Sequence, residues 1–196
     1  MIFSLVSILS RLPLRVLYWV ADWLLYPLIY YIARYRRKVV DRNLLIAFPQ
    51  HTPPERKRIA HDFYHQFCNT IVEIIYGYRC SEEEMRERVI FENTEEGNQL
   101  VEKAGGGIFM LAHMGNWEWM ASFQQWLKNG ITEVNVYRTL KNKRMDRLML
   151  AIRAKRGGVC VEKQRILREM VRYRTAQKNI AVGLLSDQKT RPEVTK

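Results

Sequence analysis

His113 and Glu118 are the two residues whose types and spacing most clearly indicate catalysis. An apolar stretch typical of a buried strand, residues 107–112, ends at His113, a Gly-Asn turn follows, and a helical pattern begins with Glu118 in its first turn. A carboxylate that accepts the Nδ1 proton of His113 would fix the ring tautomer and leave Nε2 free to take a proton from a substrate hydroxyl. A His-x4-Glu spacing also occurs by chance, and the position of His113 at the end of a strand favours the catalytic interpretation.

The segments around this pair alternate between strand and helix patterns. Strands are predicted at residues 89–92, 107–112, 133–137, 159–161 and 180–185. Helices are predicted from Ser81 onward and at residues 95–104, 116–128, 142–155 and 164–176. This repeated order predicts an α/β fold with a mainly parallel sheet flanked by helices.

Polar residues follow three of the predicted strands at their carboxyl ends. They are His113, the pair Tyr137-Arg138, and the pair Asp187-Gln188. Because the carboxyl ends of parallel strands lie at one edge of a sheet, where ligands bind in such folds, we expect these residues to share one site. The alternative for Asp187-Gln188 is an ordinary turn or helix cap.

The N-terminal region has the composition of a membrane-seeking segment. Residues 16–33 carry a single charge, Asp22, with four tyrosines and two tryptophans. A helix of this length covers about 27 Å, which is close to the hydrocarbon thickness of a bilayer. We therefore predict an N-terminal membrane-anchoring helix, and a helix lying in the interface or buried in a core remains the alternative. A short helix is expected at 41–50 and a long helix at 55–78.

Basic residues follow the apolar segment directly and give the chain much of its formal charge of +12. They would lie on the cytoplasmic side of a membrane and face anionic headgroups, so residues 1–38 are predicted to form the anchor with its basic flank, and 39–196 the catalytic domain. The residues concerned are Arg34, Arg36, Arg37, Lys38 and Arg42. No zinc-finger or RNP pattern accompanies the charge, which argues against nucleic acid as the partner.

The cysteines indicate neither a disulfide framework nor a metal site. Cys68, Cys80 and Cys160 are odd in number and widely separated, as in proteins of a reducing compartment. His61, His65 and Cys68 do fall at helical spacing, but an ordinary helix face explains that spacing more simply than a metal cluster. No metal is expected.

Taken together, several of these motifs resemble a known family. The sequence His113-Met-Gly-Asn-Trp-Glu118, the apolar N-terminus, Arg42-Asn43-Leu44, Tyr137-Arg138 and Asp187-Gln188 are similar to the late lipid A acyltransferases, within the larger group of His-x4-Asp/Glu lysophospholipid acyltransferases. The resemblance covers nearly the whole chain and implies a glycerolphosphate-acyltransferase-like fold. Members of the family continue beyond the Asp-Gln pair, so residues 39–196 would lack the usual C-terminal part.

The resemblance also implies an activity and its partners. The enzyme would move a fatty acyl chain from acyl carrier protein, as a phosphopantetheine thioester and with no cofactor of its own, to a hydroxyl of a lipid A precursor at the cytoplasmic face of the inner membrane. His113 would be the base and Glu118 its partner, with a catalytic Arg153 for which Arg156 is the alternative. The residues implied in substrate binding are Asn116, Tyr137, Arg138, Asp187 and Gln188.

Two other functions remain open at this point. The same chemistry could act on a lysophospholipid or another glycolipid or aminolipid acceptor, and a noncatalytic, membrane-anchored lipid-binding module is a further alternative. The basic residues Lys141, Lys143, Arg144 and Arg147 could dock the acidic carrier protein or could form an ordinary solvated face.

Overall fold

The computed structural model describes residues 2–188. Contacts between residues divide the chain into two compact units, one formed by Ser4–Arg79 and the other containing the described residues from Cys80 onward. The predicted division at residue 38 separates the membrane anchor from the catalytic domain, and it stays a prediction.

The N-terminal unit is helical. It contains α1 (Ile2–Leu9), α2 (Leu14–Val20), α3 (Arg37–Ala47) and α4 (Pro53–Gly77). α2 continues through two π-helical turns, Ala21–Leu25 and Leu28–Ile32. Pro27 lies between these turns and has no N–H to donate, so the wider turns carry the helix past the position where its regular hydrogen bonding is interrupted.

The membrane-anchoring helix stays a prediction. Within residues 2–188 no single helix is both long and apolar enough to cross a bilayer. Two consecutive helices, Leu14–Ile32 and Arg37–Ala47, satisfy the length and composition criteria only when they are taken together, and they meet at an angle of 88°.

Tyrosine and histidine side chains join the apolar segment to α4. The two ring nitrogens of His61 bond to separate phenols, Nδ1 to Tyr26 at 2.6 Å and Nε2 to Tyr30 at 2.9 Å. His65 Nδ1 lies 2.9 Å from Asp22, and the ring of Tyr26 stacks on His65. These contacts use the polar groups of the segment and leave its tryptophans, Trp19 and Trp23, exposed.

The C-terminal unit is an α/β domain, as predicted. Its helices are α5 (Glu82–Arg88), α6 (Thr94–Ala104), α7 (Lys143–Ala154) and α8 (Ile166–Thr175), with a 3-10 helix at Trp117–Trp126. Its strands are β1 (Gly107–Leu111), β2 (Ile131–Tyr137), β3 (Val159–Glu162) and β4 (Asn179–Leu185). Among the described residues all pairings are parallel and the order is β1-β4-β2-β3, so β4 is an inner strand.

Both faces of the inner strands of this sheet are covered by apolar side chains. On one face α8 contributes Tyr173 to a core with Val134, Val161, Ile180 and Val182. The opposite face packs Val101, Ile131 and Ala181 together with Phe109 and Phe123. Burial on two sides is the usual condition of parallel strands and explains why their sequences contain continuous apolar stretches.

Two predicted elements differ from the structure. Residues 89–92 form no strand, because the ring of Phe91 packs on Phe123 and Trp126 instead of entering a ladder. The segment predicted as an α-helix over 116–128 is the 3-10 helix. Within it, the backbone N–H of Gln124 donates to the carboxyl group of Glu133 at 3.2 Å.

Candidate active site

The loop after β1 presents His113 at the carboxyl edge of the sheet. A tight turn follows the strand, in which the N–H of Met114 donates to the carbonyl of Ala112 at 2.8 Å. Gly115 has φ +54°, a left-handed conformation that residues with a Cβ rarely adopt. The glycine therefore allows the chain to reverse immediately after His113 and enter the 3-10 helix.

Asp187, at the end of the adjacent strand β4, binds His113 twice. Its Oδ1 lies 2.7 Å from His113 Nδ1, and its Oδ2 accepts the backbone N–H of His113 at 3.0 Å. One carboxylate thus fixes both the ring and the main chain of the histidine. The two hydrogen bonds from His113 lower the pKa of Asp187, so the carboxylate is ionised at neutral pH.

This contact leaves the other ring nitrogen of His113 available. With Nδ1–H donating to Asp187, Nε2 carries the lone pair, and no described residue forms a hydrogen bond with it. The side chain of His113 is 26% exposed, and the ring of Trp117 contacts it edge to face at 5.2 Å. The geometry is that of an oriented general base that a substrate hydroxyl can reach.

Glu118 has a different partner from the one expected. Its two carboxylate oxygens accept hydrogen bonds from Nε and Nη2 of Arg153, each at 2.7 Å. The predicted hydrogen bond between Glu118 and His113 is not formed, so that prediction is wrong. The reason is that Glu118 lies on the 3-10 helix facing the last turn of α7, whereas β4 places Asp187 directly beside His113.

The pair of Glu118 and Arg153 is largely buried, with 9% and 22% of the side chains exposed. Burial disfavours the charged guanidinium, but the hydrogen bonds and negative charge of Glu118 outweigh burial and raise the pKa of Arg153. The bidentate geometry still leaves N–H groups of the guanidinium free of Glu118. Arg156, the alternative to Arg153, is buried elsewhere and donates to the carbonyl of Ser81.

The remaining predicted site residues lie at or near the same edge of the sheet. Tyr137 is the last residue of β2, Arg138 follows it and is exposed, and Gln188 follows Asp187. Asn116 directly precedes the 3-10 helix. The convergence of strand ends is confirmed for His113 and Asp187 by their direct contact, and contact of the other residues with substrate stays a prediction.

An apolar pocket of about 170 Å³ lies on the face of the sheet that the 3-10 helix covers. Leu111, two residues before His113, lies in its wall. Further lining residues include Phe91, Phe109, Met120 and Phe123. The pocket has no signature in the sequence, because the residues that form it come from separate segments.

Glu133 is the carboxylic acid buried in the wall of this pocket, with 3% of the residue exposed. Burial raises the pKa of Glu133 to about 8, although the nearby amide of Asn135 and the hydrogen bond from the backbone of Gln124 act in the opposite direction. The acid is therefore mainly neutral at pH 7. A signal was present in the sequence, since strands of a parallel sheet are usually apolar throughout, whereas the predicted strand 133–137 carries Glu133 and Asn135 on one face.

A histidine that a carboxylate orients at the carboxyl edge of a parallel sheet is typical of an α/β enzyme that activates a hydroxyl. Residues 3–195 match the model of the family described as bacterial lipid A biosynthesis acyltransferase. The chain belongs to this family and is an acyltransferase. A comparison with curated protein sequences gives no match.

Proposed function

We propose that the protein transfers a fatty acyl chain from the thioester of an acyl carrier protein to a hydroxyl of a lipid A precursor, with His113 as the general base. The observation that supports this proposal most directly is the double contact between His113 and Asp187, which orients the ring and leaves Nε2 open. Asp187, and not Glu118 as the sequence predicted, is the carboxylate that orients His113. The donor carries its own phosphopantetheine, so the proposal needs no resident cofactor.

The reaction proceeds by direct attack. Nε2 of His113 takes the proton of the acceptor hydroxyl as its oxygen bonds to the thioester carbon. The tetrahedral intermediate then collapses, the C–S bond breaks, and the imidazolium returns the proton to the departing thiolate. Asp187 stabilises the imidazolium between these two steps because its carboxylate stays ionised.

Arg153 is the proposed stabiliser of negative charge in this sequence. Its two hydrogen bonds to Glu118 hold the guanidinium in a fixed plane and leave further N–H groups to bind the thioester oxyanion or a phosphate of the acceptor. A preorganised donor to an oxyanion contributes about 3 kcal/mol to the lowering of a barrier. Glu118 acts in this scheme through Arg153, as a positioning residue.

The pocket beside Leu111 supports a substrate with a hydrocarbon chain. Its aromatic and aliphatic walls favour apolar groups, and Glu133 disturbs this environment little while it is neutral.

Two features of the N-terminal unit support a location at the cytoplasmic face of the inner membrane. Trp19, Trp23 and Ile32 are between 62% and 75% exposed, which suits a lipid environment better than water. The exposed cations Arg34 and Arg36 follow this apolar surface and would face anionic headgroups or the phosphates of the acceptor.

The test is transfer of a labelled acyl chain from acyl carrier protein to a tetra-acylated lipid A precursor. The membrane-bound wild type is compared with His113→Ala and with His51→Ala, a control on a histidine of the N-terminal unit. We expect activity in the wild type and the control, and a loss of at least about 10²-fold in His113→Ala, since it lacks the general base. Circular dichroism verifies that all three proteins are folded.

Two outcomes would contradict the proposal. Substantial activity in folded His113→Ala would remove His113 as the base. Transfer to lysophospholipid or to another glycolipid, without transfer to the lipid A precursor, would replace the acceptor while keeping the chemistry.

A further inference from the structure

Two segments at the carboxyl edge of the sheet carry a concentration of positive charge. Residues 138–144 comprise the loop after β2 and the start of α7, residues 163–168 comprise the loop after β3 and the start of α8, and neither segment contains an acidic residue. Seven cations in these segments are exposed: Arg138, Lys141, Lys143, Arg144, Lys163, Arg165 and Arg168. We call this surface the edge surface. In the part of the chain that the structure describes, none of the seven cations forms an intramolecular ion pair.

The two loops are held together, so the edge surface is a fixed structure. The backbone N–H of Lys163 donates to the carbonyl of Tyr137 at 2.8 Å, and Thr139 Oγ1 donates to Glu162 at 2.8 Å. The neighbouring carboxylate of Asp146 is also engaged, since it accepts the N–H of Leu140 at 2.7 Å. The nearby acids therefore serve the backbone and side chains of the loops and leave the cations to an outside partner.

Two exposed leucines lie among these cations. Leu140 is 41% exposed and Leu167 is 76% exposed. The two loops contain no Trp, Tyr or Phe, the residues that proteins place at a membrane interface, in contrast to the exposed Trp19 and Trp23 of the N-terminal unit. Positive charge around a small aliphatic contact fits an acidic protein better than a lipid surface.

The sheet order relates the edge surface to the catalytic residues. β3 is separated from β1 by β2 and β4, which corresponds to about 14 Å across the carboxyl edge. A partner docked on the loops after β2 and β3 thus needs a flexible arm to bring a reacting carbon to His113. A carrier protein presents its thioester on such an arm.

We propose that the edge surface is the docking site for the acidic acyl carrier protein, formed jointly by the loop after β2 and the loop after β3. This inference rests on the proposed function. The sequence indicated only cations after β2, and the structure adds the cations of the loop after β3 to the same surface. Charge complementarity steers the carrier to the edge, and the leucines provide the contact at its centre.

The test uses paired charge reversals in the full chain. One variant combines Lys141→Glu with Arg144→Glu, and a second combines Lys163→Glu with Arg165→Glu. The matched control combines Arg174→Glu with Lys178→Glu, the same change of charge on exposed residues near the start of β4, at the opposite edge of the sheet. Each protein is assayed with acyl carrier protein as donor and with a small soluble acyl-pantetheine thioester.

We expect each edge variant to raise KM for the carrier-bound donor by about tenfold or more, because like charges then oppose docking. The kcat, and kcat/KM for the small donor, stay at the wild-type value. The control pair changes KM for the carrier-bound donor less than twofold, on the order of a surface charge effect. Rising salt weakens carrier binding in the wild type and has less effect in the edge variants.

Several results would overturn the docking proposal. These are an unchanged KM in both edge variants, an equal effect in the control, and an equal loss with both donors. Loss of binding to anionic phospholipid vesicles with an unchanged KM for the carrier would assign the surface to the membrane. If the wild type transfers from neither donor, the proposed function fails, and titration of fluorescent acyl carrier protein onto the same variants still decides the docking site.

Discussion

Asp187 accepts hydrogen bonds from both the ring and the backbone of His113, at 2.7 Å and 3.0 Å. The carboxylate consequently couples the orientation of the imidazole to the position of the main chain that carries it. A change at Asp187 affects proton transfer and the conformation of the loop after β1 together.

Asp187→Asn is expected to lower kcat by about 10²-fold, because the amide neither stabilises the imidazolium nor accepts both hydrogen bonds. KM for the acceptor should change little. The measurement is steady-state kinetics beside Asp62→Asn, which removes an exposed carboxylate of α4. Activity within a few fold of the wild type would show that the contact with Asp187 does not orient a base.

The pair of Glu118 and Arg153 should behave as a coupled unit in stability. Glu118→Gln and Arg153→Gln are each expected to lower the free energy of unfolding by about 2 kcal/mol, since each leaves a largely buried charge without its partner. The double variant should lose less than the sum, with a coupling of about 1–3 kcal/mol. Urea unfolding of the four proteins measures this coupling, and strictly additive losses would contradict it.

Glu133 predicts a specific dependence of stability on pH. Burial raises its pKa to about 8 in the folded protein, above the value of 4.5 for an exposed glutamate, so the folded state binds a proton that the unfolded state releases. Stability should therefore fall as pH rises from about 4.5 to about 8, by up to about 1.4 kcal/mol per pH unit from this group.

Glu133→Gln isolates the contribution of this acid. The difference in unfolding free energy between wild type and variant should change across pH 5 to 8 and level off above that range, because the amide does not titrate. Urea titrations at several pH values give the difference. If the unfolding free energies of wild type and variant run parallel across this pH range, the pKa of Glu133 is the same in the folded and unfolded states.

Substitution by alanine is expected to have opposite effects on stability at Gly158 and Gly97. A Cβ at Gly158 would lie 2.5 Å from Oε2 of buried Glu133 and 3.1 Å from Nδ2 of Asn135, so Gly158→Ala should destabilise by about 1–3 kcal/mol. Gly97 lies in α6 with no atom within 4 Å of its Cβ position, and Gly97→Ala should stabilise by about 1 kcal/mol. Equal effects of the two substitutions in thermal unfolding would contradict the packing around Glu133.

The sequence was sufficient to predict the architecture and the edge of the sheet at which the site lies. The alternation of β- and helix-type stretches places His113 and Asp187 at carboxyl ends of strands, and in a parallel sheet these ends share one edge. The alternation of these stretches does not determine the order of the strands in the sheet. Only the insertion of β4 next to β1 brings together two residues that are 74 positions apart.

The wrong prediction that Glu118 binds His113 has a local cause. Its closeness to His113 in sequence favoured a pairing across the turn, but the 3-10 helix turns its carboxylate toward Arg153, whose matching fork binds both oxygens. The segment predicted as an α-helix is the 3-10 helix, in which the backbone N–H of Gln124 donates to the buried carboxyl group of Glu133. Long-range polar contacts of this kind have no signature in residue spacing.

The inner position of β4 also determines when the catalytic residues can meet during synthesis of the chain. β1 pairs only with β4 among the described strands, and the ladder extends to Ser186, whose N–H donates to Leu111. A nascent chain that has emerged only as far as β3 therefore holds His113 on a strand with no neighbour. The base acquires its carboxylate at the moment β4 inserts beside β1, so insertion of β4 and assembly of the dyad are a single folding event.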